Sequence, residues 1–539
     1  MNRHGRRRSA QRLAAFAAIG ALAAAGCSHD APVAAAPALV PDCAALQRIA
    51  LPATVITSTT LVAAGSAQAG ALPLPAHCAV KAEVAARTGV GGVRYATNFE
   101  LRLPQQWNGR FQFMGGGGTD GSVRPAHGFA QNGSRPALAD GYAVVSSDFG
   151  HRASDPRDAS FGLDPQARID WGYDAIDQVT RRAKALIGAY YGHAPSYSYY
   201  AGCSGGGRQA LIASQRFAAE FDGIVAGAPI LEQHLAQTGS MQILQEFTAI
   251  APPGADGRPV LSRAFSDADL ALIQRDVLAR CDALDGLADG SVDNHAACRY
   301  IPAALQCSGS KTESCLSSAQ VSALSRVLAG PRDSAGKALY EPYPIDAGVA
   351  QWRGAMLGSS TTAVPNAARA TNTSVKYVFM TPPAPEFDYL KFDFDRDPAR
   401  LAASGAFTAA NSTDYRAFRE RGAKAIVYMG VGDALVNANG VRRWYERLAE
   451  AQGGVEATQG FARYFHVPGM GHCGGGPSLD QFDAFGALVA WVEKGQAPDR
   501  LLATGTAFPG RSRPLCAYPK QARYKGAGSV DEPSSFRCE

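Results

Sequence analysis

Short apolar, β-rich runs alternate along the chain with longer stretches whose apolar residues recur at helical spacing. That alternation predicts a largely parallel sheet with helices packed on it. Strands are expected at 95–103, Arg110–Met114, 142–147, 196–201, 223–226, 423–429 and Ala462–Val467. Residues 170–191 read as a long amphipathic helix, with further helices over about 208–217 and 482–494. From about 230 to 400 the rhythm fails and Cys, Pro, Gly and Ser become frequent, which marks an insertion between two halves of one core.

Composition adds ample material for that core. Of 539 residues 46% are apolar and 18% charged, a globular balance without a fixed-period repeat. The net charge of +5 comes from Arg3, Arg6, Arg7, Arg8 and Arg12, in a 26-residue stretch without Asp or Glu. Without them 47 basic residues face 47 acidic ones, so no nucleic-acid partner is expected. The basic start is followed by 13 apolar residues, 13–25, too few to span a bilayer and suited to a secretory signal. Ala24-Ala25-Gly26-Cys27 has the outline of a lipobox but lacks the usual Leu three residues before the Cys. Either Cys27 is lipidated or cleavage follows an alanine; both readings export the protein, as a periplasmic or outer-membrane lipoprotein or in secreted form. Membrane contact is expected only through that lipid. The organisation expected is therefore a signal peptide (1–26), an Ala/Pro-rich tether (27–41), a core in two parts (42–229 and 401–539) and the insertion (230–400). The ten cysteines besides Cys27 are an even number in an oxidising compartment, which favours five disulfides; no Cys-x-x-Cys pair points to zinc.

The chemistry concentrates at Gly202-Cys203-Ser204-Gly205-Gly206. This Gly-x-Ser-x-Gly stands between an expected strand and an expected helix, where a sharp turn projects the Ser204 hydroxyl above the sheet. A serine nucleophile needs a base, and the base an orienting acid, in the chain order Ser, Asp or Glu, His. After Ser204 the histidines are His234, His295, His466 and His472. The first two fall in the insertion and His466 in a strand. His472 stands in a glycine-containing loop just after that strand. Asp433, 39 residues earlier in Gly-Val-Gly-Asp-Ala, follows another strand and is the expected acid. Donors for the oxyanion are expected from the Gly205 amide and the loop Gly115-Gly116-Gly117-Gly118, with Gly117 the first choice and Gly116 the next.

Cys203 precedes the nucleophile and Cys473 follows the base, so a disulfide between them would tie the two loops together. The Cys-Ser…Asp…His-Cys constellation resembles the tannase and feruloyl esterase family, which also includes mono(2-hydroxyethyl) terephthalate hydrolases. The likeness extends from about Cys43 to Cys538 and takes in the loop Gly-Gly-Gly-Gly-Thr-Asp-Gly. It implies an α/β-hydrolase fold with a large inserted lid. It also implies ester hydrolysis through an acyl-enzyme on a feruloyl, galloyl or terephthaloyl group, from a small aromatic ester or a plant polymer. Terephthalate monoester hydrolysis is the alternative within the family. A non-catalytic, polymer-binding surface lipoprotein is the rival from another class, and a serine peptidase is disfavoured by the paired cysteines.

A second constellation runs from Cys281 to Asn294. Asp282, Asp285 and Asp289 recur among the turn formers Gly286 and Gly290, and hard oxygen ligands on a tight loop suit calcium. An acidic helix face is the plain alternative, made costly by the two glycines. The resemblance places calcium there, a structural ion held by those three side chains and the backbone carbonyls of Leu287 and Ser291; no organic cofactor is expected. Cys281 and Cys298 bracket the loop and are expected to pair. The resemblance further implies the pairs Cys43–Cys78, Cys307–Cys315 and Cys516–Cys538. Trp352, Phe379, Phe387 and Tyr389 are candidates for an aromatic wall, and Arg353 or Arg369 for meeting a substrate carboxylate.

Overall fold

In a computed structural model, which describes residues 42–155, 158–359 and 365–539, the apolar runs pair into a nine-stranded sheet. The signal segment, the tether and Cys27 lie outside the described residues. The strands are β1 (Thr54–Val62), β2 (His77–Thr88), β3 (Arg94–Pro104), β4 (Arg110–Met114), β5 (Ala143–Ser147), β6 (Tyr197–Cys203), β7 (Gly223–Gly227), β8 (Lys424–Gly430) and β9 (Ala462–Val467). They lie in the order β1-β2-β3-β5-β4-β6-β7-β8-β9. From β5 to β9 every pair is parallel, with Tyr199 opposite Gly223 and Val427 opposite Tyr464. Parallel strands covered on both faces are buried along their length, so β5 and β7 show no polar alternation. β1 to β3 extend the sheet with antiparallel pairs. β1 and β2 are not among the expected strands; in β2 four alanines with Lys81 and Glu83 are a helix former's composition, overridden by pairing on both sides.

The helix expected over 170–191 is interrupted. Helical turns begin at Pro165, capped by the Asp164 side chain, and pass through a π turn at Asp170–Asp174. Helix α1 (Ala175–Tyr191) follows and stops at Gly192, whose φ of 83° is left-handed. The π turn leaves carbonyls to be satisfied. The fully buried Arg208 of α2 (Gly205–Arg216) takes two of them, donating to Gly172 O at 2.9 Å and Trp171 O at 3.2 Å. That contact seats the helix that carries the nucleophile.

The region where the strand–helix rhythm fails holds the helices α3 (Gln233–Ile250), α4 (Asp267–Cys281) and α5 (Ser318–Ala329), with a shorter one at Asn366–Ser374. Ser266 with Asp269, and Ser317 with Gln320, form capping boxes at the starts of α4 and α5. Phe247, Ile273, Val277, Leu324, Trp352 and Met356 gather into a second apolar core, to which Ala434 is added from beyond residue 401. Val375, Val378, Phe379 and Leu401 pack into the main core instead. Helices α6 (Ala438–Ala451) and α7 (Ala484–Lys494) follow β8 and β9. The structure joins Cys43 to Cys78, Cys203 to Cys473, Cys281 to Cys298, Cys307 to Cys315 and Cys516 to Cys538. Among the described residues no helix is long and apolar enough to cross a membrane.

Candidate active site

β6 ends at Cys203 and α2 begins at Gly205, so Ser204 alone makes the turn. Its φ of 63° and ψ of −123° lie far from helix and strand, a strained geometry costing about 1–3 kcal/mol. The surroundings hold it there: Ser204 N–H donates to Gly227 O at 2.9 Å, and Arg208 N–H donates to Ser204 O at 3.0 Å. Glycine is required beside it, because a Cβ on Gly202 would fall 2.7 Å from the Gly206 carbonyl carbon.

The Ser204 Oγ lies 2.8 Å from His472 Nε2, and His472 Nδ1 lies 2.8 Å from Asp433 Oδ2. A carboxylate only accepts, so Nδ1 carries the proton and Nε2 is the lone pair facing the hydroxyl. Burial pulls the His472 pKa down, but the Asp433 charge and hydrogen bond together raise it above its ordinary value. Asp433 is 2% exposed, and its Oδ1 accepts from the Leu435 and Val436 amides at 2.8 and 2.9 Å, which fixes its aim. Of the other histidines, His466 sits in β9 with its ring edge-on to Tyr464 and His295. The Cys203–Cys473 bridge spans 6.0 Å between Cα atoms and joins the residues flanking Ser204 and His472.

Sequence reasoning missed Asp346, between β7 and β8. It is buried, and its two oxygens accept from Gly348 N–H and Gly469 N–H, each at 2.7 Å. Burial raises its carboxyl to about 6. A Cβ on Gly432 would lie 2.8 Å from Gly348 Cα, so the acid loop, the base loop and residues 346–348 meet at one joint. No local motif marks Asp346, since its partner Gly469 is 123 residues away.

The glycine loop packs directly on the nucleophile turn: a Cβ on Gly205 would lie 3.2 Å from Gly117 Cα and 3.4 Å from Gly118 N. Gly115 N–H continues the sheet to Ala201 O, and Gly116 N–H donates to Gln209 Oε1 at 2.9 Å. Asp120 lies buried beside this loop, and burial raises its carboxyl to about 6. The Gly118 amide has no acceptor among the described residues, and Gly205, first in its helix, has none within it. Ser204, His472 and the glycine loop open on one cavity of about 760 Å³, also walled by Met114, Phe129 and Arg124. Its described lining includes no carboxylate.

The candidate aromatic wall is elsewhere. Trp352 and Phe379 are core residues, and Phe387 and Tyr389 are half-buried against the main core. None of the four lines the cavity at Ser204. Arg353 is held by Asp267 at 2.7 Å and by the Ser262 and Phe265 carbonyls. The Arg369 side chain lies outside the described residues.

The acidic loop turns its carboxylates on its own amides. Asp282 accepts from the Asp289 and Gly290 N–H groups, Asp285 from those of Leu287 and Asp293, and Asp289 from that of Ser291. Among the described residues no three such side chains converge on one metal point. Asp289 Oδ2 is nevertheless buried without a hydrogen bond, its charge met by Arg513 Nη1 at 2.7 Å. Asp293, which sequence reasoning passed over, is a fourth carboxylate beside them, receiving the Ser291 hydroxyl at 2.9 Å. Four carboxylates on one turn are a set of hard oxygen donors that fits a hard cation.

The chain matches the sequence model of the family described as tannase and feruloyl esterase over residues 82–539. It is 44% identical to the mono(2-hydroxyethyl) terephthalate hydrolase of Piscinibacter sakaiensis, covering 90% of this chain and 88% of that one. It is 29% identical to a probable feruloyl esterase of Arthroderma benhamiae, covering 81% of each. Among solved structures, feruloyl esterase B from Aspergillus oryzae superposes with a TM-score of 0.78 at 24% identity, over 92% of this chain and 99% of that one. The tannin acyl hydrolase of Aspergillus niger gives 0.70 at 21% identity, over 91% and 92%. Both likenesses bear on the fold, which is that of the α/β-hydrolases.

Proposed function

Because the chain belongs to the tannase and feruloyl esterase family, we propose that Ser204, His472 and Asp433 hydrolyse a carboxylic ester of an aromatic acid through an acyl-enzyme. The observation that carries this reading is the unbroken relay of two 2.8 Å contacts from Ser204 through His472 to Asp433. As Oγ attacks the ester carbonyl, its proton passes to His472 Nε2, and Asp433 steadies the imidazolium that forms. The developing oxyanion is received by the Gly205 amide and the Gly117–Gly118 segment. His472 then returns the proton to the departing alcohol and takes one from water, which releases the acid. Ser204→Ala is expected to abolish turnover of an aryl ester while the thermal melt stays within a few degrees. A folded variant at near wild-type rate removes the nucleophile assignment.

A terephthalate monoester is the second reading. It is favoured by the 44% identity to the terephthalate relative and by Arg124, an exposed cation on a cavity whose described lining lacks a carboxylate. Comparing kcat/KM for methyl ferulate, methyl gallate and mono(2-hydroxyethyl) terephthalate separates the readings.

The acidic loop supports a structural calcium ion, for which Asp282, Asp285 and Asp289 would supply side chains and Leu287 and Ser291 carbonyls. When bound it would neutralise the carboxylates and pin the loop. Five disulfides support folding in an oxidising compartment. Cys27 is the proposed lipid attachment point.

A further inference from the structure

We propose that Asp120 and Gln209 are positioning residues that set the oxyanion loop, Gln209 by holding the loop's backbone and Asp120 by deciding which way the Gln209 amide faces. The proposal deepens the reading above and rests on Ser204 being the nucleophile. Gln209 lies on α2, five residues past Ser204, and is fully buried. Its Oε1 accepts from Gly116 N–H at 2.9 Å and from the Tyr200 hydroxyl at 3.2 Å. A carboxamide has two ends of nearly equal shape, and the wrong end would set NH₂ against the Gly116 N–H. Asp120 prevents that. Its carboxylate, an acceptor, lies 3.2 and 3.1 Å from Gln209 Nε2 through its two oxygens, so Nε2 must face it and Oε1 must face the loop.

Asp120 also closes the loop on itself. Its own N–H donates to Gly117 O at 3.1 Å, and its φ of 56° is left-handed, unusual for a side chain other than glycine. A Cβ on Gly116 would fall 2.0 Å from Asp120 Oδ2, so loop and carboxylate fit together only with glycine there. Asp120 is 5% exposed, and no cation is hydrogen-bonded to it among the described residues. Burying such a group costs stability that an apolar side chain would not, and positioning accounts for its presence. With the Gly116 amide held by Gln209, the Gly117–Gly118 segment is the part of the loop that packs on Gly205 beside the nucleophile.

The experiment pairs Gln209→Leu and Asp120→Ala with the near-isosteric Asp120→Asn, whose amide oxygen still accepts from Gln209. Turnover of an aryl ester is measured beside the affinities for an aryl trifluoromethyl ketone and for the free aromatic acid. The ketone adds Ser204 Oγ to its carbonyl carbon, passes the hydroxyl proton to His472 and leaves a negative oxygen in the hole. Gln209→Leu and Asp120→Ala are expected to lower kcat about 10²-fold with KM within threefold, because a donor displaced from the oxyanion loses its stabilisation. Ketone affinity should fall in parallel while acid affinity holds. Asp120→Asn should keep at least a tenth of wild-type kcat, and if one of the two larger changes prevents folding the other carries the readout. Folded Gln209→Leu or Asp120→Ala enzyme within threefold of wild-type kcat overturns the proposal. So does a loss of kcat with unchanged ketone affinity. If the ketone fails to titrate the wild-type enzyme, it is the nucleophile assignment that fails instead.

Discussion

His472 is the residue on which the pH dependence turns. It works as a base only when neutral, and Asp433 holds its pKa above the ordinary 6.5 against the downward pull of burial. Activity is therefore expected to fall as the pH drops through that raised value, so the acid limb of kcat/KM should have its midpoint above 6.5. Asp433→Asn removes the charge and leaves the burial, which should move the limb to lower pH while kcat falls about 10³–10⁴-fold. A pH–rate profile of both enzymes checks this, and an unmoved limb in the variant would mean that another group titrates. Asp433 and His472 were legible in the chain because each follows a strand by a few residues. Asp120 stood within a motif already noted, yet its partner Gln209 is 89 residues away, and no spacing along the chain links the two.

At the scale of elements, the site is a meeting of strand ends. β6, β8 and β9 are adjacent or nearly so in a parallel sheet, so the loops after them emerge at one edge and bring Ser204, Asp433 and His472 together. The Cys203–Cys473 bridge locks two of those loops, across 270 residues of chain. Replacing both cysteines by Ala should lower kcat by up to about 10²-fold and raise KM less, since a small displacement of base from nucleophile costs rate more than binding. Steady-state kinetics on the double variant decides it; unchanged kcat with a lowered melting temperature would leave the bridge a stabilising role alone. Element boundaries followed the apolar runs closely in β4 and β9, where the expected ranges and the strands coincide. The π turn at Asp170–Asp174 escaped, because it answers to the buried Arg208 of another helix rather than to its own residues.

At the scale of the whole molecule, two apolar cores meet near the acid, where Ala434 joins the second core and Asp346 ties the segment between β7 and β8 to the base loop. A cation on the Asp282–Ser291 turn, remote in sequence from the triad, should act through stability. Chelation is expected to lower the melting temperature by mass action, and Asp285→Ala to do the same. Below that lowered temperature a small aryl ester should still be turned over, as Ser204, Asp433 and His472 take no part in the loop. A melt and an ester assay on one chelator-treated sample test this. Immediate loss of small-ester activity with an unmoved melt, reversed by calcium, would place the ion in the chemistry.

What the residue order determined by itself was whatever is written locally: the apolar strands, the strained serine turn with its glycines, the acid and base after their strands, the acidic turn. These signals survive without a fold because backbone strain, periodicity and turn chemistry act over a few neighbouring residues. The tertiary structure decided which amides of the glycine loop are engaged, which way Gln209 faces, and that Asp346 joins three loops. It also decided that Trp352 and Phe379 serve as core rather than as a wall at Ser204. Each of those depends on what a side chain meets after burial, and burial brings together residues far apart in the chain, 89 positions for Asp120 and Gln209 and 123 for Asp346 and Gly469.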